Sequence, residues 1–309
     1  MNRHFIIRIL LIGVLWASAL GDGYAQSGWQ SPTHGFILWG ETGVSMMMTS
    51  VPQDVKPLPG PLAGLGLGYE LFYRGFVFQM GLQLRYRQAG FRLPDGEHVL
   101  EDVTDSERWV FDYHYTQTSR RDRYSAAQLQ LPLLFGGEWS GVSLLVGAKV
   151  NLSLYGRATA KGIYSTAGDY EPLIDWFEEM PNHQFFTDYQ AAGEERYFFR
   201  PEVQLSAEIG YTWHFDGRSI YESDHKLRLS LMVDYGLLDS HKQGEGTPVT
   251  LPESFLADDI QSPIQVRHLL GTSVASSAVR PLSIGIKLTY ILNPKHRRYR
   301  CILCKLPEE

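Results

Sequence analysis

Hydrophobic and polar residues alternate through residues 200–214. The residues of one parity are Val203, Leu205, Ala207, Ile209, Tyr211 and Trp213. Those of the other parity are polar or small and begin with Glu202, Gln204, Ser206 and Glu208. Because successive side chains of a strand point to opposite faces, this pattern predicts a strand with one apolar and one polar side. A run of about 12–13 residues suits a tilted bilayer crossing, and Tyr and Trp favour the membrane–water boundary.

The same alternation recurs along the chain and predicts an all-β fold, an antiparallel up-and-down transmembrane β-barrel of about eight strands. The predicted strands are residues 35–47, 63–73, 76–88, 124–135, 142–155, 200–214, 226–236 and 280–292. Connections alternate between long and short. Outer-membrane barrels have long extracellular loops and short periplasmic turns. A secreted lipocalin-like barrel is the alternative, but it has no reason to separate the connection lengths in this way.

The segments between the strands are predicted to be loops or turns. The long loops are a Pro-rich one at 51–61 and three others at 89–123, 156–199 and 237–279. Short connections are predicted at 74–75, 136–141 and 215–224. Within the loop at 156–199, the sequence EPLIDWFEEM at 171–180 predicts a short amphipathic helix.

The N-terminus has the pattern of a secretory signal peptide. Arg3 and Arg8 precede an apolar stretch at 9–17, and Gly23 and Ala25 are small residues at −3 and −1 relative to Gln26. These features predict a signal peptide at 1–25, a barrel at 26–292 and a periplasmic basic tail at 293–309. An uncleaved transmembrane anchor is the alternative. With a cleaved signal peptide, the protein is expected in the bacterial outer membrane.

Composition agrees with a single folded domain. The chain has 309 residues, a net charge of −6, 44% hydrophobic and 20% charged residues, which is not the composition of a disordered protein. The acidic balance gives no electrostatic reason to expect nucleic-acid binding. The 17 tyrosines and 30 glycines suit strands with aromatic girdles and tight turns.

The inward parity of the predicted strands carries charges of both signs. These residues are Glu41, Glu70, Arg85, Arg87, Lys149, Glu202, Glu208, Arg228, Asp234 and Lys287. An eight-stranded barrel is just wide enough for its interior to be filled by side chains. Because charges removed from water must be paired, we expect a charge network across the lumen. The main interpretation is a filled structural core, and a narrow conduit or proton path is the alternative.

No motif identifies an active site. Five histidines, His98, His114, His183, His241 and His268, lie in predicted loops, where histidines are usually solvated. No short motif places a nucleophile beside a base and an orienting group. We therefore expect a non-enzymatic protein with no catalytic residues, no cofactor and no metal site. A lipid-modifying outer-membrane enzyme is the alternative.

The predicted tail contains both cysteines, Cys301 and Cys304, behind the basic run KHRRYR. The periplasm is oxidising, so a disulfide between the two is one interpretation. An intermolecular bridge to a periplasmic partner is another, and an isolated CxxC is weak support for a redox or metal role. The basic run could contact anionic lipid headgroups or a protein partner.

Residues 127–134, AQLQLPLL, resemble a strand of the PorT-like outer-membrane β-barrel family, whose usual form is close to LEIPLL. In that family a short turn and a Gly-containing strand follow, which GAKVN at 147–151 matches. The resemblance implies an integral eight-stranded outer-membrane protein of a Gram-negative bacterium. The protein after which the family is named belongs to a secretion and gliding machinery. This chain has longer external loops and a Cys-containing tail, and the family has no catalytic residues to carry over.

The leading functional hypothesis is a non-enzymatic outer-membrane protein whose large loops form an interaction surface. Loops rich in Trp, Tyr and charge suit contact with a protein or glycan partner. The second hypothesis is a subunit of a secretion or envelope assembly that works through the tail with a periplasmic protein partner. In each case the outward face of the barrel is expected to contact outer-membrane lipid.

Overall fold

The computed structural model describes residues 33–49, 55–104, 110–170, 173–178, 185–215, 225–241, 249–250, 264–272 and 278–293. Eight strands form the barrel wall. They are β1 (Thr33–Thr49), β2 (Lys56–Tyr73), β3 (Phe76–Arg92), β5 (Val110–Trp139), β6 (Val142–Tyr170), β9 (Glu202–His214), β10 (His225–Gly236) and β13 (Val279–Leu292). Five shorter strands complete the set: β4 (Gly96–Thr104), β7 (Leu173–Glu178), β8 (Tyr189–Arg196), β11 (Val249–Thr250) and β12 (Gln265–Val266).

The wall is a closed antiparallel ring in which strands that follow one another in sequence are neighbours. The order is β3-β2-β1-β13-β10-β9-β6-β5, and β5 also pairs with β3, which closes the ring. Every pairing in the ring is antiparallel. The predicted eight-stranded up-and-down barrel is therefore confirmed. Among the described residues, no helix is long and apolar enough to cross a bilayer.

Two tight turns lie at one end of the barrel. Arg74 and Gly75 connect β2 to β3, and Ser140 and Gly141 connect β5 to β6. All four residues have positive φ, from 49° to 87°, as expected for two-residue type I′ hairpin turns. The predicted turn at 136–141 is too long, since β5 continues to Trp139.

The outward face of the wall is apolar around the whole ring. Its exposed side chains include Leu38, Leu65, Leu84, Leu133, Leu144, Leu205, Ile209, Leu231 and Ile286. Exposed aromatic residues border this belt at the end with the tight turns, namely Tyr73, Phe76, Trp139, Tyr211, Trp213 and Phe215. A continuous apolar band with aromatic edges is the surface of a transmembrane barrel. The segment at 200–214 contributes as predicted, with alternate residues facing the lipid.

The other end of the barrel differs from the prediction, because much of two predicted loops is strand. β5 is 30 residues long and β6 is 29, whereas about 9–11 residues are enough for a strand to cross a bilayer. Both strands extend past the apolar belt and pair with each other up to Asp112 and Asp169. With β4, β7 and β8 alongside, these extensions form what we call the external sheet.

A β-bulge in each long strand explains why the loops at 89–123 and 156–199 were predicted wrongly. The register shifts between Thr118 and Arg121 in β5, and at Leu154 in β6. A bulge moves all later side chains to the opposite parity. Beyond the belt the apolar side chains also point inward and the charged ones outward. In β6 the two changes coincide, so its apolar residues keep one parity, whereas in β5 they are separated and the apolar parity changes twice.

Two smaller predictions also require correction. The Pro-rich loop at 51–61 is mostly strand, since β2 begins at Lys56. Pro57 and Pro59 pair with β3 but lie beyond the part of β2 that pairs with β1. Their missing N–H groups therefore remove no hydrogen bond to β1. The amphipathic helix at 171–180 is wrong as well, because Leu173–Glu178 is β7 and pairs with β6. A segment of about 10 residues has little helical stability of its own, and a neighbouring strand edge determines its conformation.

Candidate functional site

The inside of the barrel is filled by charged side chains that are paired across it. At its centre, Arg85 of β3 contacts two carboxylates: Nε lies 3.1 Å from Glu41 Oε1, and Nη2 lies 3.0 Å from Asp234 Oδ2. Nη1 donates a hydrogen bond to Gln204 at 3.2 Å. Arg85 has no exposed surface. One guanidinium thus ties together side chains of β1, β9 and β10.

Two lysines extend this cluster. Lys149 Nζ lies 2.9 Å from Asp234 Oδ1 and 3.5 Å from Glu208 Oε1. Lys287 Nζ lies 2.9 Å from the other oxygen of Glu208 and stands over the ring of Trp39, 5.2 Å from its centroid. The central cluster therefore alternates positive and negative groups, which is how buried charges are stabilised.

A second cluster lies toward the tight turns. Arg228 bridges two carboxylates, with Nη1 at 2.8 Å from Glu70 and Nη2 at 2.8 Å from Glu138. Its Nε donates to Thr212 Oγ1, whose hydroxyl in turn donates to Glu138 at 3.0 Å. Gln79 also donates to Glu70. All five side chains are buried, so Arg228 is the centre of a buried ionic network.

A third cluster lies toward the external sheet. Arg87 and Glu202 form a two-pronged ion pair, with nitrogen–oxygen distances of 2.8 and 3.2 Å. Asn151 and Gln204 both donate to the same Glu202 oxygen. The Arg87 guanidinium lies 4.9 Å from the ring centroid of Phe199. Two parallel N–H···O bonds fix both the position and the orientation of the pair.

All ten residues that we predicted for the lumen lie there, and each makes an ion pair with another of the ten. They comprise five cations and five carboxylates, and none is more than 5% exposed. The pairs link side chains of different strands, and Arg85 of β3 reaches Asp234 of β10 on the opposite side of the ring, so at these levels the side chains occupy the interior. This arrangement favours a filled structural core over a continuous aqueous conduit.

Several inward groups were not predicted from the sequence. They are Arg120, Asp122, Glu138, Lys226 and His268, all of them buried. Glu138 has the same parity as the inward residues Gln128 and Gln130, so extending the fourth predicted strand by a few residues would have identified it. Arg120 and Asp122 follow the bulge and fell in a predicted loop. Lys226 is the first residue of the predicted strand at 226–236 and shares the parity of Arg228 and Asp234, so the same alternation could have identified it.

The external end of the lumen is closed by residues 264–272, which we call the plug. The plug contains β12 and a single 3-10 turn at Leu269–Gly271. Leu269 and Leu270 are buried and pack in one hydrophobic cluster with the wall. The other members of that cluster are Met47, Ala89, Phe91, Tyr124, Ala126, Ala158, Tyr197, Phe199 and Val279. Part of the predicted loop at 237–279 is therefore folded back into the barrel.

Polar groups of β5 hold the plug by its backbone. The amide of Leu269 donates to Asp122 Oδ2 at 2.6 Å, and the amide of Leu270 donates to the Tyr124 hydroxyl at 3.0 Å. Arg120 pairs with Asp122 at 3.2 Å and donates to the carbonyl of Arg267 at 2.6 Å. These bonds satisfy backbone groups that would otherwise be buried without a partner.

Burial perturbs the titration of the tyrosines around the plug. It raises the pKa of Tyr124 well above its usual value, and the Asp122 carboxylate raises that pKa further. Burial also raises the pKa of Tyr164 to about 12 and that of Tyr113 to about 12. These hydroxyls therefore stay neutral at physiological pH and remain available as hydrogen-bond partners.

The five loop histidines that we expected to be solvated differ in their exposure to solvent. His241 and His268 are buried, which contradicts that expectation. His98 is exposed and stacks on Tyr115, and His114 is half-buried. His183 lies outside the described residues, as do the predicted signal peptide and the tail with Cys301 and Cys304. In the described part of the chain, no three His, Cys, Asp or Glu side chains are grouped to hold a metal ion.

His268 is a buried titratable residue of the plug itself. Its ring packs on Tyr124 and Tyr197, with centroid distances of 5.5 and 5.0 Å, and its Nε2 lies 3.4 Å from Glu195. Burial lowers its pKa, and Arg267 and Arg120 act in the same direction. Glu195 and Asp122 act in the opposite direction. The folded protein therefore favours the neutral ring.

Acidification is expected to loosen the plug. The pKa of His268 is lower in the folded protein than its value near 6.5 in the unfolded chain. The neutral ring therefore contributes fully to the stability of the folded plug above pH 6.5, and this contribution is lost as the pH falls toward the folded pKa. The loss from one group is at most about 1.4 kcal/mol per pH unit. This loss of plug stability is measured by hydrogen exchange of the Leu269 and Leu270 amides as a function of pH, corrected for intrinsic exchange rates. The same acidification should have little effect in His268→Gln. An equal pH response in that variant would contradict the assignment.

Comparisons with known proteins show no family. The sequence matches no protein-family model and no curated protein. Among solved structures, the chain is similar to Neisserial surface protein A, with 9% identity, 82% of this chain and 95% of that chain covered, and a TM-score of 0.29. It is also similar to Ail, the attachment invasion locus protein of Yersinia pestis, with 12% identity, coverage of 83% and 98%, and a TM-score of 0.23. These values assign no function, and membership of the PorT-like family stays a prediction.

Proposed function

We propose that this protein is an integral barrel of the bacterial outer membrane and acts there as a non-enzymatic surface interaction protein. The main support is a second hydrophobic core beyond the membrane belt. Its buried residues are Phe111, Tyr113, Tyr115, Ala160, Tyr164, Phe185, Ala191, Val249, Ile264 and Val266. A loop that only connects two strands needs no core of its own, whereas a rigid platform for a partner does.

The filled lumen supports the same proposal. Paired charges and the plug occupy the interior, so transport through the barrel is not favoured. The external sheet, in contrast, offers an edge. Within the described residues, β4 pairs only with β5, and its Val99 side chain is 44% exposed. An unpaired strand edge can add a strand from a partner.

A photo-crosslinking amino acid at Val99 tests the proposal in living cells. We expect a discrete crosslinked product from that position. The matched control is the same photo-crosslinking amino acid at Leu131 of β5. Leu131 is exposed like Val99, but it lies in the lipid-facing belt. Failure to obtain a product at Val99, or the same product at both positions, would contradict an external interaction surface.

The second candidate function is a subunit of a secretion or envelope assembly. Its support is the resemblance at 127–134, which lies on β5 with Gln128 and Gln130 inward. That role predicts a specific partner crosslinked through Cys301 or Cys304, whereas an internal disulfide alone argues against it. The lipid-modifying enzyme predicts a changed lipid A mass spectrum in a deletion strain. An unchanged spectrum removes that alternative.

A further inference from the structure

A groove on the outer surface of the barrel lies directly above the apolar belt. It has a volume of about 700 Å³ and is formed by side chains of β3, β5, β6 and β8. Four of its lining residues are cations, Arg121 and Arg123 of β5 with Arg157 and Lys161 of β6. Arg121 lies directly opposite Lys161 in the strand pairing. We call this surface the cationic groove.

Further cations continue the groove on both sides. Arg92 lies opposite Arg121 on β3, and Lys56 lies opposite Arg92 on β2. On the other side, Arg196 of β8 lies opposite Arg157. Opposed residues of a sheet share a face, and these three side chains are all exposed. Together with the cations of the groove, they form a row of positive side chains across β2, β3, β5, β6 and β8. The protein as a whole has a net charge of −6.

Little within the described chain neutralises these charges. Arg157 pairs with Glu194. Arg121, Arg123 and Lys161 make no ion pair within the described residues. Like charges directly opposite each other destabilise a sheet. The arrangement therefore calls for an anionic partner outside the chain.

The position of the groove relative to the bilayer indicates which anion is present. Tyr86 and Tyr155 lie on either side of Ala127 and end the apolar belt. Arg123 follows four residues further out along β5. At about 3.3 Å per residue and a tilt of about 40°, that is a height of about 10 Å. The headgroup region is about 5–8 Å thick on each side, and a long Arg side chain can reach back into it.

We propose that the cationic groove binds phosphate groups of lipid headgroups in the leaflet on the external side of the barrel. Guanidinium groups match phosphate oxygens with two parallel hydrogen bonds, and the groove offers three arginines within one recess. The lipid phosphates offset the repulsion between the opposed cations. Bound lipid thereby fixes the height of the barrel in the membrane, independently of any partner of the external sheet.

Lipid retention on the purified full-length protein tests this proposal. The barrel is reconstituted in phosphatidylcholine nanodiscs that contain either lipid A or dephosphorylated lipid A, and retained lipid is measured by native mass spectrometry. We expect preferential retention of the phosphorylated form. The triple variant Arg121→Gln, Arg123→Gln and Lys161→Gln should reduce that preference about tenfold or more, as expected for the loss of several charge-assisted hydrogen bonds.

The matched control keeps the charge and exchanges the side chains, as Arg121→Lys, Arg123→Lys and Lys161→Arg. It keeps every positive charge but has two guanidinium groups in the groove instead of three, so it should retain clearly more of the preference than the Gln variant but less than the native protein. Heat-modified gel mobility verifies that each variant is folded. Equal retention of the two lipid forms by the native protein, or an unchanged preference in the Gln variant, would overturn the proposal. Displacement of the lipid by inorganic phosphate at equal concentration would also overturn it, because free phosphate would then be the ligand.

Discussion

Replacement of Arg228 by Met is expected to lower the free energy of unfolding by about 3–5 kcal/mol. Arg228 is buried and neutralises both Glu70 and Glu138 at 2.8 Å. Met has a similar volume, so the main change is electrostatic: two buried carboxylates lose the cation that they share. Urea unfolding of the barrel in phospholipid vesicles measures the effect.

Two further variants separate charge from packing. Adding Glu70→Gln to Arg228→Met removes one stranded carboxylate and leaves Glu138 to balance the nearby buried Lys226. This double variant should restore most of the lost stability, because a neutral polar or apolar core is often as stable as a buried ion pair. Arg200 is exposed, so Arg200→Met should change stability by no more than about 0.5 kcal/mol. Equal effects of Arg228→Met and Arg200→Met would show that the ionic network does not stabilise the barrel.

Replacement of Asp122 by Leu is expected to release the plug. The change leaves Arg120 buried without its carboxylate and removes the acceptor of the Leu269 amide, so we expect a cost of about 3–5 kcal/mol for keeping the plug closed. Hydrogen exchange at Leu269 and Leu270 reports the opening. Planar-bilayer conductance should stay at baseline, because the Arg87–Glu202 layer still fills the lumen.

The matched control for this prediction is Tyr124→Phe. It removes only the hydroxyl that accepts from the Leu270 amide and should cost about 1 kcal/mol. The two variants thus rank the contacts of the plug. If the Leu269 amide keeps its protection in Asp122→Leu, the carboxylate is not what holds the segment in the barrel.

The membrane-spanning part of each strand could be predicted because one environment acts on each face. Lipid requires apolar side chains outside, and the lumen accepts polar ones, so Leu205 and Ile209 alternate with Gln204 and Glu208. The inward position of all ten lumen residues followed from parity alone. Their partners did not follow. Arg85 contacts Glu41 and Asp234, which are far from it in sequence, and the curvature and stagger of the ring bring them together.

The external sheet could not be predicted from the same rule. Beyond the lipid, water lies outside and a hydrophobic core lies inside, so Tyr113 and Tyr115 point inward where Leu131 and Leu133 point outward. In β5 this reversal begins at Tyr124 and Ala126, which already point inward, and the bulge near Ser119 then shifts the parity again a few residues further out. A pattern whose phase and meaning both change resembles an irregular loop when only the sequence is considered.

The sequence by itself determined the number of wall strands, their order and the face that each presents, because these depend on contact with solvent or lipid residue by residue. Only the tertiary structure decided that the plug closes the external mouth, that Arg120, Asp122 and His268 are buried there, and that a row of cations borders the belt. Those features depend on which strands become neighbours and at what height they pair. Such properties belong to the closed ring and are not contained in any single strand.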